Sequence, residues 1–291
     1  MSPTPASYTL RAAGKEDRAL VQRFTQSPAY THRHLDWRDP LDWLGRQPFW
    51  ILEKNGEIEA VLACLAEPEE VAWVRLFAVE SRLSPAWAWN ILFERVYNFL
   101  AELKDRPRIV SLGLQDWVID LLKANGFEHF QDIIVLSYDD APPPLLAPDS
   151  AITLRPMQKS DLSDVTRIDN AAFESIWRLS FDDMQRAFDR STYKTVLELN
   201  GAVAGYQMSA HNGFTAHLAR LAVDPSLQRR RIGYRLVQDV LRHFIHGHGA
   251  WGVTLNTQDN NHASLALYKQ IGFHLTGERF PVYLYPYRDG D

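Results

Sequence analysis

The stretch from Leu221 to Leu236 concentrates the chemistry of this chain. An apolar run ending in Leu221, Ala222 and Val223 meets an Asp224-Pro225 turn. A basic loop, Gln228, Arg229, Arg230, Arg231, Ile232, Gly233 and Tyr234, then opens a helical pattern. Unpaired backbone N–H groups at a helix N-terminus attract anions. Three arginines add positive charge, and Gly233 lets a ligand approach the backbone closely. A pyrophosphate fits this loop; so does the plainer reading, an ordinary basic first turn on a solvated helix. His217, on the run before the turn, carries an imidazole that titrates near neutrality and can take a proton. It also fits a structural histidine at a polar sheet edge. His243, His246 and His248 have the spacing of a metal cluster, but they stand beside Gly247 and Gly249 at a helix end, where histidines meet terminal carbonyls. No metal is expected there, and His32, His34 and Asp36 read as a polar loop.

The elements that must hold these residues follow from periodicity and punctuation. Residues 151–156 read as a strand, 161–173 as a helix capped by Ser160, and 181–189 as a short helix. Residues 193–199 and 202–210 form a hairpin around Asn200-Gly201. Residues 214–223 are a strand, and 230–246 a helix burying Leu236, Val237, Val240, Leu241 and Phe244. A strand at 251–258, a helix at 262–271 ended by Gly272, and strands at 274–277 and 282–287 complete the half.

Four prolines fall within Ala141 to Ser150. Such a segment forms neither helix nor central strand and reads as a semi-rigid linker. It divides the chain into domains at 1–140 and 151–291. The halves align with each other at an offset of about 144 residues. Thr9, Leu10 and Arg11 return as Thr153, Leu154 and Arg155. Asp17 returns as Asp161, Asn55-Gly56 as Asn200-Gly201, Ala78-Val79 as Ala222-Val223, and Gly126-Phe127 as Gly272-Phe273. The expected fold class is α+β: two tandem domains, each a mixed, mostly antiparallel sheet flanked by helices.

A second constellation lies 33 residues beyond Gln228: Asn261, Ser264, Leu267-Tyr268 and Gly272-Phe273. The two together resemble the GNAT superfamily of N-acetyltransferases. The basic loop is similar to its acyl-CoA loop, and the second run to its downstream Asn–Leu-Tyr–Gly-Phe signature. The resemblance implies acetyl-CoA as co-substrate. Main-chain N–H groups from Gln228 to Gly233 would cradle the pyrophosphate. Leu221, Val223 and Asn261 would bond the pantetheine arm, and Tyr268 would be the general acid for the leaving thiolate. Asn261 also fits a plain helix N-cap. Around His217 the run resembles arylalkylamine N-acetyltransferases, where a histidine at this place serves as base; a second histidine of that enzyme is matched by Ala219. Glu174 is the other base candidate. Acceptor specificity would come from Glu174, Trp177, Tyr283 and Tyr285, of which the three aromatics equally fit core packing. One departure stands out: Arg231 replaces the first glycine of the loop. Arginine there costs nothing if the position is helical and distorts the loop otherwise; an intact site is expected.

In the first half, Ser84 to Trp89 stands opposite Gln228 to Gly233, with Trp89 at the glycine, Leu122 opposite Tyr268 and Gln115 opposite Asn261. That half reads as a degenerate copy that no longer binds acyl-CoA, and its expected work is packing against the second half. Trp37, Trp43 and Trp50 read as core.

Length and composition narrow the classes. The chain has 291 residues, 46% hydrophobic and 23% charged, with a net charge of −5. These values exclude disorder, and the charge speaks against nucleic acid as a partner. No apolar run is long enough to span a membrane, and the start lacks the pattern of a secretory leader. One cysteine, Cys64, excludes an internal disulfide and suits the cytoplasm. The expected activity is acetyl transfer to a primary amine of a small molecule or peptide, by a monomer or homodimer. Acetylation of a cysteinyl glycoside as in mycothiol synthase, protein N-terminal or lysine acetylation, and a non-catalytic acyl-CoA sensor stay open.

Overall fold

A computed structural model describes residues 8–26, 29–211 and 213–287. The chain's first residues, Met1 to Ser7, lie outside them. The chain forms two compact units, Met1–Phe130 with Pro281–Asp291, and Gln131–Phe280.

In the first unit, strands β1 (Tyr8–Ala12), β3 (Phe49–Lys54), β4 (Glu57–Ala66), β5 (Val71–Val79) and β6 (Arg108–Leu112) lie side by side in that order. β2 (Tyr30–Arg33) pairs with β5. Helices α1 (Arg18–Phe24), α2 (Pro85–Ala101) and α3 (Asp116–Ala124) complete it. Among the described residues of this unit, β5 and β6 run parallel and the other paired strands antiparallel. Trp43 and Trp89 are fully buried. His32 is a buried residue of β2, rather than part of a polar loop, because it sits opposite Phe77 in the ladder.

Strand β7 (Glu128–Tyr138) leads into the second unit. There β8 (Ile152–Pro156), β9 (Tyr193–Leu199), β10 (Ala202–His211), β11 (Thr215–Val223) and β12 (Gly252–Gln258) are neighbours in sequence order, and β7 and β13 (His274–Tyr285) follow β12. Helices α4 (Leu162–Ala172), α5 (Phe181–Arg190), α6 (Ile232–Leu241) and α7 (His262–Ile271) flank this sheet. The β9–β10 turn has positive φ at both Asn200 (53°) and Gly201 (79°), the backbone a two-residue hairpin requires.

The units depart from the contiguous halves 1–140 and 151–291. β7 pairs with β12, Ile133 to Tyr138 against Gln258 to Val253, so it serves the second sheet. The end of β13, Val282 to Tyr285, pairs with β6 and serves the first. The proline-rich segment lies inside the second unit, where the carbonyls of Pro143 and Ala147 accept from Gln238 and Arg235 of α6.

Details shift for local reasons. Ser160 is not the cap before α4: the Asp161 carboxylate accepts from the Gln158 N–H at 2.7 Å and pairs with Arg155. α6 starts at Ile232, because Arg231 is left-handed, and gives way to a π-turn at Arg242–Gly247. β13 is one strand, since Gly277, at φ 92°, carries the chain through what reads as a break.

The two units share features beyond element order. Arg11 bridges Asp17 and Glu53, and Arg155 bridges Asp161 and Glu198. Each unit also has a β-bulge at the matching place. Arg75 is the extra residue of β5 against β4, and Ala219 the extra residue of β11 against β10. A bulge bends its strand and raises the local twist.

Candidate active site

The bulge at Ala219 shapes the site. Below it, β11 pairs in parallel with β12, Thr215 to Leu218 against Gly252 to Leu255. Above it, Arg220 to Val223 pair with β10 alone. The Asp224 N–H bonds the Ala204 carbonyl. Strand alternation then turns Ala222 toward β10 and leaves the N–H and C=O of Leu221 and Val223 on the open edge. Leu221 and Val223 therefore stand where a polar chain can pair with them; Ala222, buried with its backbone toward β10, does not.

The open edge leads to the basic loop. Asp224 orders the turn by accepting from the Ser226 N–H and hydroxyl at 3.0 and 2.6 Å. Arg229 (φ 63°) and Arg231 (φ 61°) are both left-handed. An L-residue there costs about 1–2 kcal/mol, so the loop keeps the glycine-type conformation with arginine in place. Arg231 is the N-cap of α6 and gives no side-chain cap. The helical ladder begins only with the Arg235 N–H to Arg231 carbonyl bond. That leaves the N–H groups of Ile232, Gly233 and Tyr234 without an intrahelical acceptor, at the positive end of the helix dipole. Gln228 to Arg231 are exposed. The Ile232 side chain is core, packed with Leu197, Ala204 and Leu236. A Cβ on Gly233 would lie 3.0 Å from Leu267 Cδ2, so its small size also seats α6 against α7. These amides and the open edge fit the pyrophosphate and pantetheine of an acyl-CoA.

On α7, Asn261 is the N-cap: its Oδ1 accepts from the Ser264 N–H at 3.2 Å, and its Nδ2 donates to Gln258 at 3.3 Å. Tyr268 is buried among Leu255, Ile271 and Phe273, and its hydroxyl has no partner among the described residues. Burial pushes the phenol up to about 12, so it stays protonated across the neutral range.

His217 lies between Ala216 and Leu218, which belong to the cluster around Tyr268. Alternation therefore puts its ring on the other face of the sheet. Nδ1 is 2.9 Å from the Thr254 hydroxyl and Nε2 is 3.1 Å from Asn256 Oδ1. Burial holds the imidazole below its ordinary range. With a carbonyl oxygen at Nε2, the neutral ring carries its proton there and its lone pair at Nδ1.

Arg220, the first residue above the bulge, holds the α4–α5 loop. Its Nε and Nη2 donate to the buried Asp169 at 2.7 and 2.8 Å, and Nη2 donates to the Trp177 carbonyl at 2.6 Å. Tyr206 donates to the same carboxylate. Glu174 is exposed on that loop and Trp177 half-buried. Tyr283 and Tyr285 belong to the first unit. Both stand in β13 against β6; Tyr283 is buried in the first unit's core, and Tyr285 packs on Phe93 and Phe127. Sequence reading missed Thr254, Asn256, Asp169, Tyr206 and Arg220. The available signal was an arginine in a mostly apolar strand.

Among its described residues, the first unit has neither the open edge nor the uncapped helix start. α2 begins with Pro85, which has no N–H, and the Ser84 hydroxyl accepts from the Trp87 N–H. Trp89 is a core residue stacked on Phe93, and Leu122 is fully buried. β2 pairs with Leu76 to Val79, the β5 segment matching Arg220 to Val223, so the corresponding edge is filled by the chain itself.

Residues 162–273 match the Acetyltransferase (GNAT) family. This part of the chain is a GNAT acetyltransferase domain. Solved structures extend the likeness of fold to nearly the whole chain. A tandem GNAT protein from the clavulanic acid biosynthesis pathway is 14% identical, with a TM-score of 0.63, covering 97% of this chain and 100% of that one. A GCN5-related N-acetyltransferase from Kribbella flavida is 12% identical, with a TM-score of 0.67, covering 96% and 71%. One from Sphaerobacter thermophilus is 16% identical, with a TM-score of 0.59, covering 97% of each chain. No curated protein matches the sequence. Among the described residues, no helix is long and apolar enough to cross a membrane.

Proposed function

We propose that the GNAT domain transfers an acetyl group from acetyl-CoA to a primary amine of a small molecule or peptide, by direct attack in a ternary complex in a reducing cytoplasm. The observation that carries this reading is an unpaired β11 edge followed, through left-handed Arg229 and Arg231, by an α6 N-terminus with no side-chain cap. Acetyl-CoA supplies the activated acyl group. The amides of Ile232, Gly233 and Tyr234 bind its pyrophosphate, and the Leu221 and Val223 backbone aligns its arm. Holding both reactants in one geometry supplies much of the rate. His217 takes the amine proton on its neutral imidazole, and Tyr268 donates its phenolic proton to the leaving thiolate. The acceptor meets the α4–α5 loop at Phe173, Glu174 and Trp177.

Calorimetric titration with acetyl-CoA tests this. One site per chain, lost in Arg231→Pro, is the expected result. Two sites would overturn the loss of binding in the first unit, and no binding would overturn the donor assignment.

A further inference from the structure

Arg220 ties α4 to the loop that follows it. Its guanidinium edge makes the two bonds to Asp169, at 2.7 and 2.8 Å, and one to the Trp177 carbonyl, at 2.6 Å. Its flat face covers the Phe173 ring, with Cζ 4.0 Å from the centroid. Asp169 returns a contact of its own, accepting from the Leu179 N–H at 3.2 Å. The loop is thereby gripped at a ring, a carbonyl and an amide, at residues 173, 177 and 179. Asp169 and Tyr206 are fully buried.

A buried ion pair adds little stability over a well-packed apolar pair; what it can add is one fixed geometry. Only arginine meets this one, because its planar fork binds two carboxylate oxygens while its face stacks on a ring. The place matters as much as the bonds. Arg220 directly follows the bulge residue, on the strand whose free edge begins there, and shares its face of the sheet with His217.

We propose that Arg220, locked by Asp169 and Tyr206, is a positioning residue that holds the loop 173–179 as the wall for the acceptor amine beside the open β11 edge. The inference rests on the reading of the GNAT domain as an amine acetyltransferase. Arg220 touches neither reactant; it acts through Phe173 and Trp177. The loop carries an exposed carboxylate at Glu174 and a half-buried indole at Trp177, which suit a protonated amine on an apolar body.

The test compares wild type, Arg220→Lys, and the double variant Arg220→Met with Asp169→Leu. The double variant removes both charges together and leaves no buried ion unpaired. Tryptamine, spermidine and alanyl-alanine serve as acceptor probes, with thiol release as readout. Circular dichroism and acetyl-CoA calorimetry accompany each variant. Both variants are expected to bind acetyl-CoA within about two-fold of wild type. KM for the best probe should rise at least ten-fold while kcat falls less, and loop amides 173–179 should exchange hydrogen at least ten-fold faster. A folded double variant with wild-type KM and wild-type loop exchange overturns the proposal. An equal loss of acetyl-CoA affinity overturns it too, since that marks a general structural role. Wild type that binds acetyl-CoA but acetylates none of the probes counts against the acceptor wall. Wild type that binds no acetyl-CoA refutes the transferase reading itself.

Discussion

Ser84 and Arg231 hold the same post, the N-cap of α2 and of α6, and treat the amides behind them in opposite ways. The Ser84 hydroxyl accepts from the Trp87 N–H, and Pro85 has no N–H to offer. Arg231 caps nothing with its side chain and leaves its helix's first amides available. A helix N-terminus binds an anion only with amides to spare. This difference, with β2 lying along β5, separates a closed copy from an open one.

The strained arginine yields the first prediction. Arg231→Gly should keep the loop and change stability by no more than about 1 kcal/mol, because relief of the left-handed strain is offset by glycine's entropy. Arg231→Pro cannot reach φ 61° and should abolish acetyl-CoA binding. Calorimetry and urea unfolding of the two variants check both halves of the statement.

Tyr268→Phe should lower kcat by about 100-fold, the typical worth of a positioned acid, with acetyl-CoA affinity nearly unchanged. In wild type, the phenol at about 12 keeps its proton, so turnover should show no alkaline fall up to pH 10. A descending limb near pH 9 would assign the acid elsewhere.

Burial holds His217 below its ordinary value of 6.5. As a base it works deprotonated, so kcat/KM should rise with pH and level off with an apparent pKa under 6.5. His217→Gln should flatten that limb. An unchanged profile would hand the role to Glu174 or to solvent.

Stability should fall in acid because of His32. Burial lowers it to about 4, against 6.5 unfolded. Above pH 6.5 the ring is neutral in both states. Between pH 6.5 and about 4 only the unfolded chain binds the proton, which costs about 1.4 kcal/mol per pH unit. His32→Gln should show a shallower decline of Tm across that window.

The parts of the fold with local causes were legible early. Asn200-Gly201 announced a hairpin because two adjacent positive φ values suit those residues, and Gly272 ended α7 for the same reason. The α6 loop was visible as composition: three arginines and a glycine after an apolar run. The fate of Tyr283 and Tyr285 was not. Their alternation looks the same whichever sheet receives them, and only pairing with β6 decides it. Ser160 failed as a cap because Asp161, one residue later, is drawn to Arg155, a partner brought near by folding.

What the sequence determined by itself was the duplication, the order of elements, and which half kept a basic glycine loop and a tyrosine. These are carried by residue type and spacing. Tertiary structure decided that Arg231 stays left-handed, that β7 and the end of β13 each serve the other half's sheet, and that β2 fills one edge while its counterpart stands open. It also bound Arg220 to Asp169 across 51 positions of chain. Strand partners and buried charge pairs depend on what the rest of the chain brings alongside, and no local pattern records that.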